Sequence, residues 1–311
     1  MSAKDNIKLV QDMYEALNAQ ALDDHDKYWT EDMIWHGPPG FGDIHGREGF
    51  KYEVLKPFYT SFPDYHVVNE IEIADENWVA ATGILTGTHQ ADWEGHAPTQ
   101  KPVSMRFSDF WLVKDGKLTE NFVMVDNLAT LKNIGATAID WKYPDERPLS
   151  KQFIETFNNS KSLSGSAKQN LELIHKMTDV MVSPDKNKDA QKEFWTEDMI
   201  WHGPSGFGEV YGFNDYKNIV LSEFYGAFPD YNSTIEIELA DENWMAATGL
   251  ITGTHQGTWL GIPPTGKSIK MRYSNFWMIK DGKIAENWVM IDHVGVLQQL
   301  GINHMTGKPI G

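Results

Sequence analysis

The chain has 311 residues, a formal net charge of −17, 12 Trp, 15 Phe and no Cys. Its excess of acid argues against a nucleic-acid backbone or an anionic membrane surface as partner. The lack of cysteine excludes disulfides, thiolate nucleophiles and Cys-ligated zinc. No apolar signal core opens the chain and no apolar run is long enough to span a bilayer, so a soluble, cytoplasmic protein is the expectation. Aromatics at this level suit a large core and also apolar ligand pockets.

One passage occurs twice. Tyr28-Trp29-Thr30-Glu31-Asp32-Met33-Ile34-Trp35-His36-Gly37-Pro38 returns as Phe194-Trp195-Thr196-Glu197-Asp198-Met199-Ile200-Trp201-His202-Gly203-Pro204. The match continues without a gap for about a hundred residues, the size of a small domain. His36 pairs with His202, His89 with His255, Arg106 with Arg272 and Asp126 with Asp292, each pair separated by the same 166 residues. Each copy is long enough for its own core, so the pattern predicts two domains, 1–140 and 169–311, joined by a linker over 141–168. Ser160 to Ser166 is the linker's most flexible stretch by composition.

Within one copy, Ile7, Val10, Met13, Tyr14 and Leu17 recur at helical spacing and predict an amphipathic first helix, matched by Leu171, Ile174, Met177 and Met181. Met33 to His36 reads as a short strand ended by Gly37-Pro38, and Gly46 to Phe62 as a second helix. Pro57 would kink that helix, but the second copy has Glu223 there. Strands follow over Val67–Ala74 and Trp78–His89. After a loop, Val103–Val113 and Leu118–Val125 form a hairpin over Lys114-Asp115-Gly116-Lys117. A short helix after Asp126 ends near Gly135. The order predicts an α+β fold, helices laid over one face of a curved antiparallel sheet, with room for an apolar cavity between them.

Period-two alternation sorts the hairpin side chains. Met105, Phe107, Asp109 and Trp111 share one face of their strand, and Glu120, Phe122, Met124 and Asp126 share one face of theirs. Both sets mix large apolar groups with carboxylates and read as facing a pocket. An acid there would have a raised pKa through desolvation and could serve as a general base. Asp126 and Asp292 fit that role, and each also stands where Asp caps a helix. His36, His202, His89 and His255 end strands, where an imidazole could polarise a carbonyl, shuttle a proton or simply complete a turn. The expected catalytic set is thus Asp126, Asp292, His36, His202, His89 and His255. The expected substrate contacts are Asp109, Asn275, Trp35, Trp201, Trp93, Trp259, Phe122, Trp288, Met124 and Met290. No short metal-ligand spacing, phosphate-binding glycine loop or nucleophile elbow is present, so neither a metal nor a cofactor is expected.

Thr252-Gly253-Thr254-His255-Gln256-Gly257, Gly261-Ile262-Pro263-Pro264-Thr265-Gly266-Lys267, Lys280-Asp281-Gly282-Lys283-Ile284, Glu286-Asn287-Trp288, Asp292 and Leu297-Gln298-Gln299-Leu300-Gly301 together resemble the SnoaL-like polyketide (ester) cyclase family of the nuclear-transport-factor-2-like superfamily. The resemblance covers most of both copies. It implies two tandem cone-shaped α+β barrels, each with a deep pocket, packed as an internal pseudo-dimer that could pair further. It also implies a cofactor-free aldol ring closure on an apolar, polyketide-like molecule, with the acid of the last strand, here Asp126 or Asp292, as base. An isomerase, a hydrolase or a non-catalytic binding module could use the same scaffold. The first copy departs at Gly95-His96-Ala97-Pro98-Thr99-Gln100-Lys101. The second has Asn275 where the first keeps Asp109, so one copy could act while the other supports it.

Overall fold

The computed structural model describes residues 2–38, 41–138, 166–185 and 187–310, which fall into two compact units, one for each copy. In the N-terminal unit, α1 (Ala3–Asn18) is started by a capping box. Ser2 Oγ accepts from the Asp5 amide at 3.2 Å, and the Asp5 carboxylate accepts from the Ser2 amide at 3.1 Å. These bonds occupy backbone donors that a helix start leaves without partners. Val10, Met13 and Tyr14 form its buried stripe. A 3₁₀ turn (Leu22–Lys27) leads to β1 (Trp29–His36) and the short β2 (Asp43–His45).

The second helix is α2 (Arg47–Gly49), a π-helical turn (Phe50–Leu55) and α3 (Lys56–Ser61) in one run. Pro57 is the second residue of α3, directly after the π turn and inside the run, where it has no N–H to donate. The other unit carries Glu223 at this point and the same π turn (Tyr216–Leu221), so proline does not cause the widening. β3 (His66–Ala74), β4 (Trp78–Thr88), β5 (Pro102–Lys114) and β6 (Lys117–Val125) follow, and α4 (Asn127–Ile134) ends at Gly135 with a left-handed φ of 79°.

The six strands run in the order β2-β1-β6-β5-β4-β3. β3 to β6 are antiparallel, as the hairpin signals predict, but β1 lies parallel to β6. The sheet is therefore mixed. The long connection from β1 through the helices and β3–β5 allows the parallel return that a hairpin could not make.

The hairpin also departs from simple alternation. Lys114 pairs with Lys117 and Val113 with Leu118, but Leu112 pairs with Glu120. Thr119 is an extra residue, a β-bulge that shifts the register by one. From there on Asp109 stands opposite Val123 and Phe107 opposite Val125. A one-residue shift exchanges the two faces of a strand. The residues of β6 that share the Asp109 face are consequently Asn121, Val123 and Val125, not Phe122, Met124 and Asp126.

The C-terminal unit repeats the plan. It comprises α5 (Ala167–Val182), β7 (Trp195–His202), β8 (Glu209–Tyr211), α6 (Phe213–Asp215), α7 (Ser222–Ala227), β9 (Asn232–Ala240), β10 (Trp244–Thr254), β11 (Ser268–Lys280), β12 (Lys283–Ile291) and α8 (His293–Leu300). Its sheet order is β8-β7-β12-β11-β10-β9, and Ala285 makes the equivalent bulge. Most of the linker expected over 141–168 lies outside the described residues. Its end is already structured: Ser166 caps α5 through a second capping box with Gln169. No helix among the described residues is long and apolar enough to cross a membrane.

Candidate functional site

In the N-terminal unit a cavity of about 350 Å³ lies between the sheet and the helices. α1 contributes Tyr14 and Leu17, β1 Trp35, the second helix Val54 and Phe58, β5 Met105, Phe107 and Asp109, and β6 Val123 and Val125. A smaller space of about 130 Å³ shares the Tyr14, Trp35 and Asp109 walls. Gly37 helps to hold Trp35 in place, because a Cβ there would overlap the indole ring.

Asp109 is the buried acid of this cavity, with only 8 % of its surface exposed. Tyr14 Oη donates to its Oδ2 at 2.8 Å, and Asn121 Nδ2 donates to its Oδ1 at 3.2 Å. Burial pushes the carboxyl up to about 7, against the two hydrogen bonds, which favour its charged form. The Tyr14 hydroxyl is itself raised well above its usual value, by burial first and then by Asp109. Tyr14 thus stays a donor while Asp109 is free to gain and lose a proton near neutrality. The Tyr14 ring is fixed by an edge contact to Trp111, 5.6 Å between centroids.

Asp126 and Asp292 are placed differently. Asp126 is the N-cap of α4 and accepts from the Ala129 amide at 3.2 Å. Asp292 caps α8 and accepts from the Gly295 amide at 2.7 Å. Neither belongs to a cavity wall described above. Burial raises Asp292 to about 6, opposed by the Gly295 amide and Arg272. The bulge accounts for this placement, since Asp126 follows the outer set of β6.

The histidines also stand apart from the cavity walls. His36 stacks on Phe122 with centroids 4.1 Å apart, and its ring nitrogens face Asp43 Oδ1 at 2.9 Å and Glu120 Oε2 at 3.4 Å. His202 stacks on Trp288 at 4.3 Å between Glu209 and Glu286, at 3.0 and 2.9 Å. Phe122 and Trp288 therefore support histidines on the other face of the sheet, and Met124 and Met290 likewise lie outside the cavity linings. His89 and His255 are fully buried beside Thr99 and Thr265, at 3.2 Å each, and burial lowers the pKa of both. Trp35, Trp93 and Asp109 do line the N-terminal cavity, and Trp201, Trp259 and Asn275 the C-terminal one.

The C-terminal cavity measures about 120 Å³. Asn275 replaces Asp109 and accepts from Asn287 Nδ2 at 3.1 Å. Counted from the capping serines Ser2 and Ser166, the position of Tyr14 is held by Thr178. The acid and its donor are thus exchanged together. Asn127 of the first copy is His293 in the second, whose ring stacks on Trp259 at 5.6 Å and on Phe207 at 6.4 Å. That imidazole takes up space that an asparagine leaves open. Tyr14, Asn121 and Asn127 are cavity-lining residues that alternation alone does not point to. The paired exchange of Tyr14 and Asp109 between copies is the signal that marks the first of them.

The family model for SnoaL-like polyketide cyclases matches residues 8–134 and again residues 173–300. A search of curated proteins gives no match. Solved structures similar to the chain include wild-type IdmH from Streptomyces antibioticus, at 24 % identity with a TM-score of 0.39, covering 43 % of this chain and 99 % of that one. A SnoaL-like polyketide cyclase from Agrobacterium tumefaciens str. C58 matches at 21 % identity with a TM-score of 0.35, covering 42 % and 95 %. TsrD from Streptomyces laurentii matches at 17 % identity with a TM-score of 0.39, covering 43 % and 96 %.

Proposed function

Because the chain belongs to the SnoaL-like polyketide cyclase family in two tandem copies, we propose that its N-terminal copy is a cofactor-free acid–base catalyst of ring closure on an apolar, polyketide-like molecule. Asp109 is the base in this reading, and the C-terminal copy, with its smaller cavity, is a supporting domain. The observation that carries it is a titratable carboxyl, held by Tyr14 and Asn121, in the wall of an apolar cavity.

The chemistry follows from that placement. The Asp109 carboxylate takes a proton from a carbon activated by neighbouring carbonyls. The resulting enolate carbon attacks a second carbonyl of the same molecule, forming the ring C–C bond. The new alkoxide recovers a proton from the Asp109 carboxyl, so the residue ends as it began. A base whose pKa is near the working pH suits both halves of this cycle. The Tyr14 and Asn121 donors keep the carboxylate aimed, and the aromatic walls hold a flexible chain folded on itself with little water.

The test is hydrogen–deuterium exchange at the activated carbon of an aryl-substituted 1,3-dicarbonyl probe, followed by NMR against the buffer rate. The intact protein accelerates exchange with a rate that rises through about pH 7 as Asp109 ionises. Asp109→Asn abolishes the acceleration while Asn275→Asp leaves it unchanged. Acceleration that survives Asp109→Asn removes the base from the proposal.

A further inference from the structure

We propose that the N-terminal cavity selects an amine-bearing ligand, an apolar body with a cationic group held at the mouth, and turns away carboxylates and phosphates. This inference rests on the reading of that cavity as the ligand site and adds the class of molecule it takes.

Three observations support it. Besides Asp109, the cavity wall carries Glu53, Asp92 and Glu94 and no Lys, Arg or His. All three are solvent-exposed as whole residues, but burial of its carboxyl pushes Glu94 up to about 7, so Glu53 and Asp92 carry most of the rim's charge at neutral pH. None of the three forms an ion pair among the described residues, so their charge is not cancelled locally. Carboxylates of one sign around a low-dielectric opening focus a field that favours cations and opposes anions.

The second observation is Asn127. It lines the same cavity with only 7 % of its surface exposed, and its side-chain Oδ1 is buried with no hydrogen-bond partner. A buried amide oxygen left unpaired is costly. A ligand N–H or O–H reaching it would remove that cost, which points to a molecule with a donor as well as an apolar body.

The third is the comparison within the chain. The counterparts of Glu53, Asp92 and Glu94 are Ile219, Thr258 and Leu260, all uncharged, and Asn127 is replaced by the stacked His293. Glu223, an acid the second copy has in place of Pro57, is engaged by the Leu260 amide at 3.4 Å and does not line its cavity. The acidic mouth and the open amide are thus found in the roomy copy and are missing from the narrower one.

The experiment is a matched series with one aromatic body, 2-naphthylmethylamine, 2-naphthylmethanol and 2-naphthylacetate, titrated into the full chain. Quenching of tryptophan emission reports binding, since Trp35 and Trp93 line the cavity. The amine binds roughly five- to tenfold tighter than the alcohol, the scale expected of a few exposed charges, and the carboxylate binds weakest. High salt shrinks the amine's advantage. The combined Glu53→Gln, Asp92→Asn and Glu94→Gln variant, altered only at exposed positions, brings amine and alcohol together. Asn127→Leu weakens amine and alcohol alike. Equal binding of all three compounds, or an amine preference that survives neutralising the rim, overturns the inference while leaving the cavity as a ligand site. Absence of binding by any of the three overturns the cavity reading and the inference with it.

Discussion

The two copies share a sheet order, a bulge and a capping box, yet one encloses about 350 Å³ and the other about 120 Å³. The difference is concentrated in a few exchanges. Asp109, Tyr14 and Asn127 become Asn275, Thr178 and His293, while Trp35, Trp93, Met105 and Val123 have unchanged counterparts in Trp201, Trp259, Met271 and Val289. The apolar wall is common to both because the fold requires it for packing. The polar groups differ in cost, because a buried carboxyl carries a desolvation penalty that the amide of Asn275 does not. After duplication, one copy could shed that cost.

The sharpest way to break this comparison is to remove the acid from each site in turn. Asp109→Asn lowers probe exchange by about 10²- to 10⁴-fold, the usual scale for losing a general base. Asp126→Asn, measured in the same assay, retains the exchange. The opposite pattern would return the base to the end of the last strand.

The next largest effect concerns stability. Between its ordinary value of 3.8 and about 7, folded Asp109 holds a proton that the unfolded chain has released. Stability therefore falls as pH rises through that window, and the loss persists above it. Asp109→Asn removes the loss, as Asn275 already does in the other copy. Denaturant unfolding at pH 8 should show a gain of about 2–4 kcal/mol, vanishing near pH 4.

His25 offers a contrast of the other sign. It is fully buried, 3.5 Å from Tyr59 Oη, and burial lowers its pKa to about 4, with Lys51 adding to the effect. The unfolded chain binds a proton from about pH 6.5 downward that the folded chain refuses. Stability is thus fully present above 6.5 and drops by about 2–3 kcal/mol as pH falls to 4. Gln191 stands at this place in the second copy. His25→Gln should flatten the difference between pH 6.5 and 4 in calorimetry.

The smallest effect separates the caps. Asp126→Ala and Asp292→Ala each cost about 1 kcal/mol of stability. The latter costs more of the two, because its bond to the helix amide is 2.7 Å against 3.2 Å. Equal losses would show that cap geometry does not distinguish the copies.

The duplication and the order of elements were legible because they depend on long matches and on periodicity, which local sequence carries. The Asp109 face of β5 was legible for the same reason. The β6 face was not, since Thr119 is unremarkable in sequence and its bulge is defined only by pairing with Leu112 and Val113. With that single residue, Val123 and Val125 line the cavity and Phe122, Met124 and Asp126 do not. The parallel pairing of β1 was hidden for a related reason, as it depends on a partner more than eighty residues away. Asn127 carries no sequence signal beside Asp126, because it joins the cavity lining only through the turn from strand to helix.

Gly37 carries a consequence for how such a site could evolve. The Trp35 indole lies over a stretch of main chain with no room for a methyl group. Any other amino acid at 37 would force the ring to shift, and since Trp35 lines the cavity, this backbone position works as a size dial for it. The same arrangement at Gly203 and Trp201 means that both halves inherited the dial, and neither has turned it.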